Sequence, residues 1–579
     1  MTTARWGSRH SYLWVLVPTM LVSAVVHLWG IRRDLPVPQA DERYFVDPAV
    51  YIASSADPNP HWFGHPGSTV IYPLAAFYRL RAVLLDGAPL FGRAPSIAVH
   101  FANDPSGFYL IGRAWAIAFS LAAFPLVYAL GRRVFNELVG RLAVVVWAVV
   151  PIAVDYGRIV RTDSVALFFA LLCLWACVRA VETPTARWFI TAGVAAGLGT
   201  ASRYFLAALV PVVVTAWIVA HPRRIMTLGA GLSATVAAFA LSTPFLFLDA
   251  REALRSIGGE EGSPDPGRRA NFVGNVAFYS LHTIPAALSW IGLGACIAGI
   301  VLALAHRTPG TLLLLVWIAT LVVGISVLPF HWDRWLIPAL PVVTLLAVDA
   351  LVELARWVAR RTARRAPWRF AGTFAAVLAG ALVLTAVGPA DALVRLEQTE
   401  SRPSTRAVAQ SWIERHLVRG SGVAVEVQGP VLPTTEYRTV EHHSLPNAGS
   451  VQDYVRAGYR YLVLDAGLDR TYLNRASGYP NAVTFYRDVY AHARVVADFR
   501  PSSGHPGPHL TVYDLGNRPT AAGARGADAP RAEIATRGRL GRIGAGGPIP
   551  LVQQRLLQLQ RAVSADPAAV ASRPGARTH

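Results

Sequence analysis

Apolar runs of about twenty residues, the length a hydrocarbon core demands, recur along this chain and are separated by short breaks that carry arginine or acid. The first, residues 11 to 31, is long enough to cross a bilayer. No small-residue cleavage site follows it, which predicts a retained span and not a removed leader. Further runs at 107–130, 142–157, 164–181, 188–201, 204–220, 225–247, 281–305, 311–328, 336–355 and 370–388 bring the expectation to about eleven transmembrane helices. The apolar piece Val70 to Leu85 is broken by Arg79 and Arg81 and is expected to lie at the membrane interface.

After Pro389 the hydrophobic density falls and the periods shorten. Helices near Thr405 to Leu417 and Val451 to Ala457 alternate with strands Gly422 to Val427 and Tyr459 to Leu464. Strand candidates Ala493 to Phe499 and His509 to Leu515 complete a small α/β domain. From Gly516 onward Ala, Gly, Arg and Pro dominate, and apart from a possible helix at Leu551 to Val563 this tail is expected to be disordered. The predicted organisation is an α-helical polytopic membrane domain over 1–388, an extracytoplasmic α/β domain over 389–515 and a disordered tail over 516–579.

Composition agrees with a bilayer protein, since 53% hydrophobic and 15% charged residues leave too little polar surface to cover a soluble chain. The net charge of +19 comes from arginine alone, because the chain has no lysine. Arg132, Arg133 and Arg141, then Arg179 and Arg187, Arg223 and Arg224, Arg307, and the run Arg356 to Arg369 all fall in alternate loops. That is the positive-inside pattern of a multi-pass protein of the plasma membrane, with a cytoplasmic N-terminus and the α/β domain outside. Basic clusters placed between apolar runs suit anionic lipid and exclude a nucleic-acid surface. Cys173, Cys177 and Cys296 lie inside apolar runs, where they read as small packing residues.

The other loops, 32–106, Tyr156 to Asp163, the turn at Arg203, 249–280 and Phe330 to Trp335, hold the acids, histidines and aromatics. An Asp-Glu pair such as Asp41-Glu42 is most simply a solvated loop feature, and Asp163 could serve only as a helix N-cap. Yet carboxylates at the ends of spans are expensive unless they face water or a partner, so Asp41, Glu42 and Asp163 are site candidates. His65 and His331 have no metal-ligand spacing, so no metal or cofactor is expected, and dependence on a divalent ion stays open.

These elements together resemble bacterial members of glycosyltransferase family 39, which includes protein O-mannosyltransferases and aminoarabinose transferases. The resemblance rests on Asp41-Glu42-Arg43-Tyr44, His65-Pro66, Gly112-Arg113, Arg158 to Asp163, Gly197-Leu198-Gly199 with Ser202-Arg203, and Arg334-Trp335-Leu336-Ile337-Pro338. It runs over residues 10 to 515 and departs from the family where His65-Pro66-Gly67 replaces a double proline, where Trp335 replaces tyrosine, and in an added segment at 86–106. It implies a C-type glycosyltransferase fold and an enzyme that moves a hexosyl or pentosyl group, with inversion, from a polyprenyl-phosphate carrier to a hydroxyl acceptor on protein, lipid or cell-wall glycan. Asp41 would be the general base, with Glu42 holding the loop or replacing it, and Asp163 would orient the acceptor or the surroundings of the base. Arg203 and Arg334, supported by Arg158 and Arg161, would take the carrier phosphate, with His65 and His331 near the substrate. A transporter or lipid flippase is the alternative that many spans alone would suggest. Such proteins favour internal repeats and mid-membrane charges, and this chain instead gathers its acids at span ends.

Overall fold

The computed structural model describes residues 13–516 apart from Val37, His65, 221–224, 262–269, Arg365, 434–435 and Arg475. The expectations for the tail, for Arg223 and Arg224, and for His65 fall outside the described residues.

Seven helices among the described residues are long and apolar enough to cross a membrane: Ser68–Asp86, Ser106–Val134, Asp163–Glu182, Phe272–His306, Pro309–Ser326, Asp333–Ala363 and Pro367–His416. Glu137–Trp147 and Pro151–Gly157, bent by 66° at their junction, make an eighth if taken as one span. The bend falls just before Pro151, which lacks an N–H and biases the preceding residue away from helix. Leu13–Leu28, Tyr204–Ala220 and Met226–Ser242 are apolar but shorter, so a total of about eleven is reached only with these included.

Length and hydropathy alone sort two helices differently from expectation. Ser68–Asp86, expected at the interface, passes by length and hydropathy alone, yet it bonds to the ends of other helices along its course, Ser68 to the Ala201 carbonyl at 3.3 Å and Tyr78 to that of Phe108 at 2.9 Å, as a helix lying along the membrane surface would. Its Arg79 folds back on the carbonyls of Pro89 and Gly92 at 3.0 and 2.7 Å, which leaves Leu80, Leu84 and Leu85 exposed as an apolar face. Ala186–Ser202, expected to span, has only 17 residues. It lies against Met226–Ser242 so closely that a Cβ on Gly193 would stand 2.0 Å from the Gly231 carbonyl oxygen, and one on Gly197 2.4 Å from that of Thr235. Small residues at such positions let helix backbones approach where water cannot drive them together.

Asp333–Ala363 is the central helix, its apolar window wholly buried, and it packs with Phe124, Leu171 and Trp317 in the main core. A second apolar cluster joins Ala40–Ser55 to Ser68–Asp86 through Phe45, Val46, Leu74 and Tyr78, and it carries the acidic pair on its edge. The helix Phe370–Glu400 runs unbroken through Pro389 and leads into the α/β domain.

That domain has five strands, β1 (Gly422–Glu426), β2 (Arg438–His442), β3 (Tyr461–Asp465), β4 (Arg494–Phe499) and β5 (Leu510–Asp514), in the order β2-β1-β3-β5-β4. β1 is parallel to β2 and β3, and β5 is antiparallel to β3 and β4. The interior strands β1, β3 and β5 are buried throughout, while β2 and β4 form the partly exposed edges. Four strands stand where hydrophobic runs predict them. β2, Arg-Thr-Val-Glu-His, is an addition, because an edge strand can carry charge and so lacks an apolar run. The sheet sits beside the acidic pair: Arg43 ion-pairs with Glu441 on β2, and the Asp34 carboxylate accepts the N–H of Ser404 at 3.2 Å.

Candidate active site

The Ala40–Ser55 helix begins at the N-cap Gln39, and its first turn holds Asp41 and Glu42, where the positive end of the helix favours acids. Successive residues in a helix face about 100° apart, so the two carboxylates go to different places. Glu42 turns inward and is fully buried. Its oxygens accept Arg113 Nε at 2.8 Å, Arg113 Nη2 at 2.6 Å, the Val160 N–H at 3.0 Å and the Gln39 N–H at 3.2 Å. Arg113 spends Nη1 on the carbonyls of Ile31 and Arg33, each at 2.8 Å. Glu42 thus ties the helix start to the Ser106–Val134 helix and to the loop at 158–162. That loop comes so close that a Cβ on Gly112 would stand 2.7 Å from the Val160 side chain.

Asp41 turns the other way and keeps 44% of its side chain exposed. It ion-pairs with Arg161, whose Nε also donates to Asp163 Oδ2 at 3.0 Å. Arg203 Nη2 donates to Asp163 Oδ1 at 2.6 Å. Two carboxylates and two guanidinium groups therefore form one chain, Asp41–Arg161–Asp163–Arg203, and only Asp41 stands well open to solvent. Burial works against the charge on Arg161, yet Asp41 and Asp163 hold its pKa above the ordinary arginine value.

Arg334 completes the cluster. Its guanidinium lies 4.0 Å from the centre of the Trp332 ring and 6.0 Å from that of Tyr156, the ring that Arg161 also approaches, at 5.7 Å. Among the described residues Arg334 forms no hydrogen bond and no ion pair. Its Nε, together with Arg161 Nη2 and Arg203 Nε, is a buried donor without a partner. An unmet buried donor costs about 1–3 kcal/mol, and more when charged, so three in one place are a standing preference for an anion.

The other expected residues lie elsewhere or differ in role. Arg158 is buried and turned to the opposite side, where it meets Glu397 and Glu400. His331 bonds through Nδ1 to Asn275 at 2.8 Å and stacks on Phe278 at 3.9 Å, beside Trp332 and not among the acids. Arg43, next to the acidic pair in sequence, pairs with Glu441 and lies near Asp47, and the guanidinium that meets Asp41 is that of Arg161. Arg113, Tyr156 and Trp332 were not anticipated as site residues. A lone arginine inside an apolar run, as Arg113 is, is the signal that could have drawn attention to it.

Beside Arg203 an aromatic pocket opens, lined by Trp62, Phe63, Tyr72, Tyr204 and Phe245, with Ser68 and Thr243 as polar points. Trp62 stacks on Tyr44 at 4.9 Å, which links the pocket wall to the helix that bears Asp41. Among the described residues no three His, Cys, Asp or Glu side chains gather in a group able to hold a metal ion.

Residues 110–247 match the family described as dolichyl-phosphate-mannose-protein mannosyltransferase. No curated protein sequence matches the chain. Among solved structures, ArnT from Cupriavidus metallidurans in the apo state aligns with a TM-score of 0.54 at 14% identity, over 88% of this chain and 98% of that one. The same protein bound to undecaprenyl phosphate aligns with a TM-score of 0.50 at 12% identity, over 90% of this chain and 100% of that one. The Archaeoglobus fulgidus oligosaccharyltransferase aligns at 0.46 with 11% identity, over 83% of this chain and 72% of that one. The chain has the C-type glycosyltransferase fold, with a multi-pass helical domain and a small sheet domain after it.

Proposed function

We propose that this protein is a membrane glycosyltransferase that moves a sugar from a polyprenyl-phosphate carrier to a hydroxyl acceptor on the outer face of the plasma membrane. The observation that carries the reading is the pairing of an open carboxylate, Asp41, with a cluster of buried guanidinium groups that keeps three donors unmet. Asp41 serves as general base and takes the acceptor proton as the acceptor oxygen attacks the anomeric carbon from the face opposite the phosphate. The bond from that carbon to the phosphate oxygen breaks, and polyprenyl phosphate leaves with the electron pair. Its growing charge is met by Arg203 and Arg334, with Arg161 between them and the base, since forked guanidinium donors suit phosphate oxygens. Asp163 holds Arg161 and Arg203 in place. That ArnT, of the same fold, has been seen with undecaprenyl phosphate supports a carrier of this class.

The arginine pattern of the loops supports an N-terminus in the cytoplasm and an α/β domain outside, where a lipid-linked donor would replace nucleotide sugars. The test is transfer of labelled sugar by the detergent-purified protein from a pool of polyprenyl-phosphate sugars, with the product identified by mass. Movement of the carrier across a vesicle without any new glycosidic product would favour a flippase and overturn the reading.

A further inference from the structure

Residues Arg158 to Thr162 lie between the Pro151–Gly157 and Asp163–Glu182 helices and are themselves neither helix nor strand. This short loop supplies Arg161 to Asp41 and Asp163, and the Val160 N–H to Glu42. With no regular backbone ladder to set its shape, side chains must do so. Its far end is held by Arg158, only 3% exposed, whose Nη1 donates to both oxygens of Glu397 at 2.7 and 2.8 Å and whose Nη2 donates to Glu400 at 3.1 Å. Glu397 and Glu400 stand in the last turn of Phe370–Glu400, the helix that carries the α/β domain. Glu400 also pairs with Arg33, and the neighbouring Asp34 accepts the N–H of Ser404 at the start of that domain.

We propose that Glu397 and Glu400 are positioning residues, which fix the 158–162 loop through Arg158 and so present Arg161 to the reacting carboxylates; this rests on the glycosyl-transfer reading above. Neither acid touches Asp41 or Asp163, and the effect passes through the backbone over the three-residue step from Arg158 to Arg161. Electrostatics favours the arrangement because Arg158, left with only Asp155 at 3.9 Å, would be a buried guanidinium short of charge partners and would draw the loop toward water. A displacement of about an ångström at a catalytic group costs up to about 10²-fold in rate, so a loosened loop is felt at the site even when the fold survives.

Glu397→Gln with Glu400→Gln is compared with Glu397→Asp with Glu400→Asp in the full-length detergent-purified protein. Turnover is expected to fall at least about tenfold in the amide pair with the carrier KM changed less than about twofold, and to recover to within about threefold of the parent in the aspartate pair. Amide hydrogen exchange across 156–163, which needs no turnover, is expected to rise in the amide pair while the body of the Asp163–Glu182 helix keeps its protection. Unchanged exchange in folded protein overturns the clamp whether or not a sugar is transferred, and so does normal turnover in the amide pair. If the double variant does not fold, Glu400→Gln alone is measured against the same two outcomes. Absence of transfer by the parent protein with any carrier counts against the glycosyl-transfer reading and leaves the exchange result to decide the clamp.

Discussion

Glu42 and Arg113 form a two-point ion pair, Nε to Oε1 at 2.8 Å and Nη2 to Oε2 at 2.6 Å, with the carboxylate fully buried and the arginine 3% exposed. Removing one member of a buried pair strands the charge of the other, at a cost of about 3–5 kcal/mol. Glu42→Gln should therefore lower the melting temperature of the purified protein markedly, while Asp41→Asn, at an open position, should barely move it. A Glu42→Gln protein of parental stability that has lost turnover would transfer the role of base to Glu42.

For Asp41 itself the expected loss is kinetic. Asparagine keeps the size and hydrogen bonding but cannot take a proton, so Asp41→Asn should slow sugar transfer by at least about 10²-fold with carrier binding retained. Single-turnover rates and carrier affinity measured side by side decide this, and a parental rate removes Asp41 from the chemistry.

Among the described residues Arg334 forms no ion pair, so its loss strands no paired carboxylate. If it meets phosphate, each charge-assisted bond forgone is about 1.5–3 kcal/mol, or roughly ten- to a hundredfold in affinity. Arg334→Ala should weaken binding of polyprenyl phosphate by that factor without loss of folded protein, and Arg334→Lys should recover only part of it because the fork is gone. Parental affinity in Arg334→Ala would assign the phosphate to other residues.

The side of the membrane on which the site opens is tested by a reporter active only outside, fused after residue 515. Activity is expected there, since the arginine pattern puts the Asp41 side outside and the α/β domain touches the helix that bears Asp41 through Arg43 and Glu441. A signal from a cytoplasm-only reporter at the same point would invert the topology and remove the argument for a lipid-linked donor.

The α/β domain carries its own pH response. Glu426, wholly buried at the end of β1, has its pKa pushed up to about 8 by desolvation, even though the N–H of Asp465, the Tyr486 hydroxyl and the N–H of Leu445 favour the anion. The folded state therefore binds a proton that the unfolded chain releases near its ordinary value of 4.5. Stability falls as pH rises through the interval between 4.5 and about 8. Thermal melts across that interval should show the decline, and Glu426→Gln, which cannot ionise, should flatten it.

The sequence by itself determined the parts that depend on local period and local charge. Apolar runs of bilayer length announced most of the spans, and alternation with turns announced four of the five strands, because a helix or strand shows its buried face in its own spacing. Asp41, Asp163, Arg161, Arg203 and Arg334 were also legible as candidates, since charge at the end of an apolar run is costly and stands out. What the sequence could not say was which of them meet. Adjacent Asp41 and Glu42 part company because a helical step turns them to different faces, one toward Arg161 and one toward Arg113. Arg158 and Arg161, three residues apart, separate because the loop between them is not helical. Arg161, Arg203 and Arg334 come from three distant segments, and Arg158 finds its acids 239 and 242 residues away. Pairings of that range leave no trace in spacing, and only the packing of helices against one another decides them.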